Sequence, residues 1–164
     1  MNWITYNYYP GGKTKALTMS FDDGRIFDRD LIKMFNKYGI KGTFHLISSR
    51  IDTDGYVKDL YAGHEISLHT HTHPTIAYMP KRQIDYEITE NKRILERIAG
   101  REICGLSYPM GSFGDNVTEV MKNAGVLYGQ HSRQAHSHCR KTFMNGIRQS
   151  IIHAEHSGGQ RIWS

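Results

Sequence analysis

The sequence predicts an α/β chain in which strands and helices alternate around a parallel sheet. Three observations predict it. Short apolar, β-compatible runs alternate at least four times with segments of helical period, the signature of βαβ units. Glycine stands just past each helical segment, at Gly39, Gly63, Gly100 and Gly125, where it stops a helix. The polar clusters DDG, HTHTH and YPMGSF each follow an expected strand, and parallel sheets hold their ligands at the C-terminal ends of their strands.

The first strand is expected over residues 15–21, KALTMSF, ending at Asp22-Asp23-Gly24. Leu31, Ile32, Met34, Phe35 and Tyr38 give a helix over 28–38. GTFHLI, residues 42–47, reads as the second strand, 56–62 as a helix, and 66–68 as a brief strand leading into the histidines. Ile84, Ile88, Ile94, Leu95 and Ile98, with charges between them, predict a long amphipathic helix over 81–98. A strand over 103–108, a helix over 116–124 and a strand over 126–128 follow. Residues 138–164 show neither alternation nor apolar periodicity and fit no strand or helix.

At 164 residues the chain suits one domain with a real core. Hydrophobic residues at 38% and charged residues at 23% indicate a soluble globular protein. No run approaches the roughly 20 apolar residues of a membrane helix, so no membrane partner is expected. The N-terminus has no basic start followed by an apolar run, which points to the cytoplasm. Cys104 and Cys139 match no CxxC pattern and read as buried or incidental thiols. The net charge of +5 comes from lysines and arginines scattered singly or in pairs, which argues against nucleic-acid binding. Histidine, at ten residues, is the outlier of the composition.

Two carboxylates at a strand end, followed by glycine, are on their own more often a turn than a site. His69 and His73, four apart with Pro74 behind them, change the balance. Two neutral imidazoles and one carboxylate suit Zn²⁺ or a similar divalent ion such as Co²⁺ and leave a position open for water. A second carboxylate beside that water could take its proton. The zinc-protease pattern HExxH is excluded, because His64 and His69 are five apart. His64 reads as a hydrogen-bonded histidine at a turn, and His71 is left out of the metal set.

TMSFDDG at 18–24, GHEISLHTHTHP at 63–74 and LSYPMG at 106–111 resemble, in order and spacing, the three motifs of the polysaccharide deacetylases of NodB type, usually written TFDDG, GHEIGNHTxxHP and RxPYG. The resemblance covers residues from about 15 to 130. It implies a distorted parallel (β/α) barrel and metal-dependent hydrolysis of the acetyl group of an N- or O-acetylated sugar. It implies Asp22 as general base, Asp23, His69 and His73 as metal ligands, and the Met110 backbone N–H as donor to the oxyanion. Thr72 would steady the histidine loop by hydrogen bonding.

Two departures stand out. Ser107 replaces the arginine that steadies the catalytic aspartate in such enzymes, so Asp22 needs another partner. After Tyr128 the family continues with a tryptophan segment and a late histidine acting as general acid, which residues 138–164 do not match. The codons able to encode residues from Cys139 onward, read one base earlier, can spell LPEDFYEWHPTIHH, which resembles that segment. Residues 138–164 are therefore read as an out-of-frame tail on a single domain spanning 1–164, with the barrel incomplete at that end. Loss of the acid would impair turnover, and an unclosed barrel would expose strand edges that favour self-association. The alternative reading is a catalytically silent, deacetylase-like relic or carbohydrate-binding protein. A third, a metal-binding protein using His131, His136, His138 and Cys139, is the weakest, because an out-of-frame tail accounts for His138 and Cys139.

Overall fold

Residues 24–42 intervene between the first two strands, too many for a hairpin, and a helix among them carries the chain back to the start of the sheet. Parallel pairing follows. The computed structural model describes residues 19–51, 54–131, 140–144 and 147–151. Its strands β1 (Ser20–Asp23), β2 (Thr43–Leu46), β3 (Glu65–Leu68), β4 (Gly105–Ser107) and β5 (Tyr128–Gln130) form one sheet in sequential order. Every neighbouring pair in that sheet is parallel. Between them run α1 (Asp28–Tyr38), α2 (Asp54–Leu60), α3 (Lys81–Ala99) and α4 (Asp115–Asn123). Sequential order with intervening helices is the winding of a (β/α) barrel.

The strands alternate in character. Phe44, Leu46, Ile66, Leu68 and Leu106 face the helices and form the buried core with Ile84, Ile88, Leu95 and Ile98 of α3. The other face is polar, with Ser20, Asp22, His45, Ser67, Ser107 and Gln130. It is concave: the Ser20 hydroxyl of β1 donates to Gln130 Oε1 of β5 at 2.9 Å, although three strands lie between them. Curling of this kind gives an incomplete barrel. The sheet turns tightly where glycine admits a ring. A Cβ on Gly105 would lie 2.2 Å from the Tyr128 ring and hydroxyl, and one on Gly129 would lie 2.3 Å from the Tyr108 hydroxyl.

The helix expectations agree with the structure to within two residues. Two strands are corrected. β1 runs through Asp22 and Asp23 instead of stopping before them, because both pair with β2, against His45 and Leu46. β5 begins at Tyr128, two residues late, because the Leu127 and Tyr128 N–H groups both turn to the Cys104 carbonyl before the β4 ladder starts at Gly105. The expectation that nothing regular forms after residue 138 is also corrected. β6 (Arg140–Met144) and β7 (Ile147–Ile151) pair antiparallel, with Met144 opposite Ile147. Asn145-Gly146, the dipeptide most favoured in two-residue hairpin connections, was the missed signal. The rest of 138–164, and with it most of the out-of-frame reading, lies outside the described residues, as do Cys139, His136 and His138. Among the described residues no helix is long and apolar enough to cross a membrane.

His64 is buried between β2 and α1. Its Nδ1 accepts the Gly42 N–H and its Nε2 meets Asn36 Oδ1, each at 3.2 Å. Burial, and then the Lys41 ammonium, hold it below the usual imidazole range. The folded state thus binds the proton less tightly than the unfolded chain, and stability is lost as pH falls below about 6.5 toward the folded value. The urea midpoint should drop between neutral pH and about pH 5, and drop less in His64→Gln. Gly105→Ala should cost about 1–3 kcal/mol in urea unfolding at neutral pH, because the added methyl overpacks against the Tyr128 ring.

Candidate metal centre

Alternation along β1 would send the Asp22 and Asp23 side chains to opposite faces. Asp23 instead has φ 81°, a left-handed conformation that aspartate tolerates better than most residues. The turn brings both carboxylates to one place. His69 Nε2 lies 3.5 Å from Asp23 Oδ1 and 4.0 Å from Asp22 Oδ2. His73 Nε2 lies 3.5 Å from the same Asp23 oxygen. Thr70, His73 and Met110 also have positive φ, at 63°, 67° and 54°. These are all the non-glycine residues with positive φ among those described, and every one sits in a loop or strand end of the three motifs. Such conformations cost about 1–3 kcal/mol each and cluster where function needs them.

Each histidine is held from behind. The His69 Nδ1–H donates to the Ser107 carbonyl at 2.8 Å, which leaves the Nε2 lone pair facing Asp23. The His69 N–H donates to Asn91 Oδ1, and Asn91 Nδ2 donates to the Leu46 carbonyl. The His73 N–H donates to the Thr70 hydroxyl at 3.1 Å. Glu87 accepts the Thr72 N–H and hydroxyl at 2.8 and 2.5 Å. Its own backbone carbonyl accepts the His71 N–H. His71 turns away from the cluster, bonding the Ser48 hydroxyl and meeting the Tyr86 ring edge-on.

The electrostatics favour the ligand forms. Burial would raise the Asp23 carboxyl, but the Arg25 hydrogen bond and the charges of His69, Arg25 and His73 outweigh it and hold Asp23 below the usual carboxylate range. Burial, then His69, pushes His73 below the usual imidazole range, so its ring is neutral near pH 7. Three ligands set about 2.0–2.1 Å from a tetrahedral ion lie roughly 3.4 Å apart. The two His–Asp23 separations of 3.5 Å match that spacing. Asp23, His69 and His73 form the one group of three or more such residues that could hold a metal among the described residues.

Asp22 stands beside this triad. The Ser107 hydroxyl donates to its Oδ2 at 3.0 Å, so the residue in the arginine's place is itself the new partner. Asp22 Oδ1 is buried with no partner among the described residues. The Met110 backbone lies in the turn Pro109–Gly111; the turn's bonds run from Gly111 N–H to Tyr108 and from Ser112 N–H to Pro109, and the Met110 N–H makes no backbone bond among the described residues. Burial raises the Cys104 thiol, which argues against a nucleophilic role there.

Sequence reasoning missed Glu87 and Asn91. Both fall on the buried stripe of α3, with Ile84, Ile88, Leu95 and Ile98. A carboxylate and an amide on an otherwise apolar stripe are the signal that could have found them.

The sequence model of the family described as polysaccharide deacetylase matches residues 10–129. A chitooligosaccharide deacetylase of Sinorhizobium fredii is 26% identical over 122 residues, 71% of this chain and 56% of that one. The Streptococcus pyogenes deacetylase PplD, solved in complex with acetate, superposes with a TM-score of 0.70 at 20% identity, covering 78% of this chain and 60% of that one. A family 4 acetyl xylan esterase from Clostridium thermocellum, solved with a cobalt ion, gives 0.60 at 22% identity, covering 65% and 54%. These structural likenesses establish the fold. The chain spans about half the length of the curated relatives it matches, 44% and 56% of two of them.

Glu87→Ala should free the Thr72 amide without unfolding α3. Amide exchange at Thr72 should then quicken by about tenfold or more, the worth of a hydrogen bond to a charged acceptor, while exchange at Ile88 and Leu95 stays slow.

Proposed function

Because the chain belongs to the polysaccharide deacetylase family, we propose that it hydrolyses the acetyl group of an N- or O-acetylated carbohydrate at a divalent-metal site made by Asp23, His69 and His73. The observation that carries this is the convergence of Asp23 Oδ1 with both Nε2 atoms, beside the Asp22 carboxylate.

Zn²⁺ suits two imidazoles and one carboxylate, and a bound divalent ion would polarise the acetyl carbonyl and acidify water at the site. Asp22 is the base: its Oδ1 is unspent and its Oδ2 is steadied by Ser107. It takes a proton from water as the water oxygen attacks the acetyl carbon. The Met110 N–H donates to the oxyanion, an interaction worth roughly 3 kcal/mol in such sites. The tetrahedral species collapses by breaking the bond from the acetyl carbon to the sugar nitrogen or oxygen, which must gain a proton to leave as amine or alcohol. Residues 138–164 carry no motif for the late histidine that would supply that proton. A missing general acid costs about 10²–10⁴ in rate, so slow turnover belongs to this proposal.

Calorimetric zinc titration and acetate release from acetylated chito-oligosaccharides test it together. Wild-type chain should bind one ion, Asp23→Ala none, and His138→Ala one. Asp22→Asn should keep the ion and lose about 10²–10⁴ in acetate release, the contribution of a positioned base. Zinc retained in Asp23→Ala would overturn the ligand set. Zinc bound with no acetate released by wild type would favour the catalytically silent alternative.

A further inference from the structure

A groove of about 350 Å³ opens beside the triad, between the chain after β1, the turn Ser48–Arg50 and α2. That volume lies within the about 300–1,000 Å³ of small-ligand sites. Arg25, Arg29 and Arg50 line it, with Tyr56 along one wall, and no carboxylate does so among the described residues. Arg25 and Arg50 tie it to the triad. Arg25 bonds Asp23 Oδ2 through Nε and Nη2 at 3.0 and 2.6 Å. The Arg50 charge is close enough to His73 to lower its proton affinity.

The three guanidiniums are not equally committed. Arg25 is held by Asp23. Arg29 donates to the Tyr56 hydroxyl at 2.9 and 3.0 Å and packs over that ring at 5.4 Å, an arrangement that leaves its charge unneutralised. Arg50 has no ion pair among the described residues. The buried acid Asp28 accepts the hydroxyl of Tyr61, which lines the groove, at 2.7 Å. Planar guanidiniums match carboxylates in bidentate fashion, and an exposed tyrosine ring offers an apolar platform with a polar tip. A neutral glycan would give Arg29 and Arg50 no carboxylate, and among the described residues neither has one in an ion pair.

We propose that the groove selects an acetylated glycan bearing a carboxylate, such as a uronate, next to the residue whose acetyl group enters the metal site. This rests on the deacetylase reading above. Arg29 and Arg50 receive the carboxylate and Tyr56 carries the sugar ring. Charge, not ring shape, sets the preference.

The test compares an acetylated uronate-containing oligosaccharide with its methyl ester, identical except for the charge. Binding to the zinc-loaded chain is followed by calorimetry and turnover by acetate release. Wild type should favour the acid over the ester by about ten- to a hundredfold in affinity, the worth of one or two charge-assisted hydrogen bonds. The ratio should shrink as salt is raised. Arg29→Gln and Arg50→Gln, each checked for an unchanged circular dichroism spectrum, should each lower it, and the double variant should bring it near one. Equal affinity for acid and ester in wild type, or a ratio kept in the double variant, overturns the proposal. An acid preference in binding with no acetate released from either compound would sink the deacetylase reading and leave the groove's selectivity standing.

Discussion

The carboxamide of Asn91 joins two backbone groups that the parallel ladder leaves over at the ends of its strands. Beyond Leu46 and Leu68 the ladder between β2 and β3 stops, and the Leu46 carbonyl and His69 N–H have no strand partner. Buried backbone groups must be paired, and Asn91, itself fully buried, takes both. That one residue fixes where β3 ends and where the His69 side chain begins. With Nδ1–H spent on the Ser107 carbonyl of β4, the ring has one orientation left, and its free nitrogen faces β1. A helix, three strands and two backbone carbonyls thus converge on a single imidazole.

The polar concave face follows from the same geometry. Parallel strands covered by helices on one side present alternate residues to the other. In this chain those residues are Asp22, His45 and Ser67, register partners on three adjacent strands. Asp22 and His45 each keep one buried polar atom with no partner among the described residues. Leaving such atoms unpaired costs about 1–3 kcal/mol apiece, which a purely structural interior would not carry. The positive-φ backbone of Asp23, Thr70, His73 and Met110 adds to that cost at the same end of the sheet. Stability is surrendered where carboxylates and imidazoles gather.

Much of this was legible in the sequence, for identifiable reasons. Helices α1 and α3 announced themselves through apolar period and terminal glycines, and both agree closely with their expected spans. Asp22, Asp23, His69 and His73 could be named because carboxylates and imidazoles gathered at strand ends carry a chemical signature that propensity does not blur. The supporting residues were not legible. Glu87 and Asn91 are 15 and 22 residues from the groups they hold, and on a helix wheel a polar residue on the buried stripe looks like an imperfection. The end of β1 and the start of β5 were misplaced because a ladder's register is set by its neighbour, not by local pattern. Ser107 read as a loss, since its hydroxyl's reach to Asp22 depends on the curl of the sheet.

The central claim is that Asp23, His69 and His73 form one preorganised ligand set, and X-ray absorption of the zinc-loaded chain tests it most directly. The account predicts a first shell of only nitrogen and oxygen at about 2.0–2.2 Å, with the outer-shell scattering of two imidazoles. A sulfur shell near 2.3 Å, or the signature of three or more imidazoles, would contradict it by placing the ion on the cysteines or on the histidines of the last segment instead.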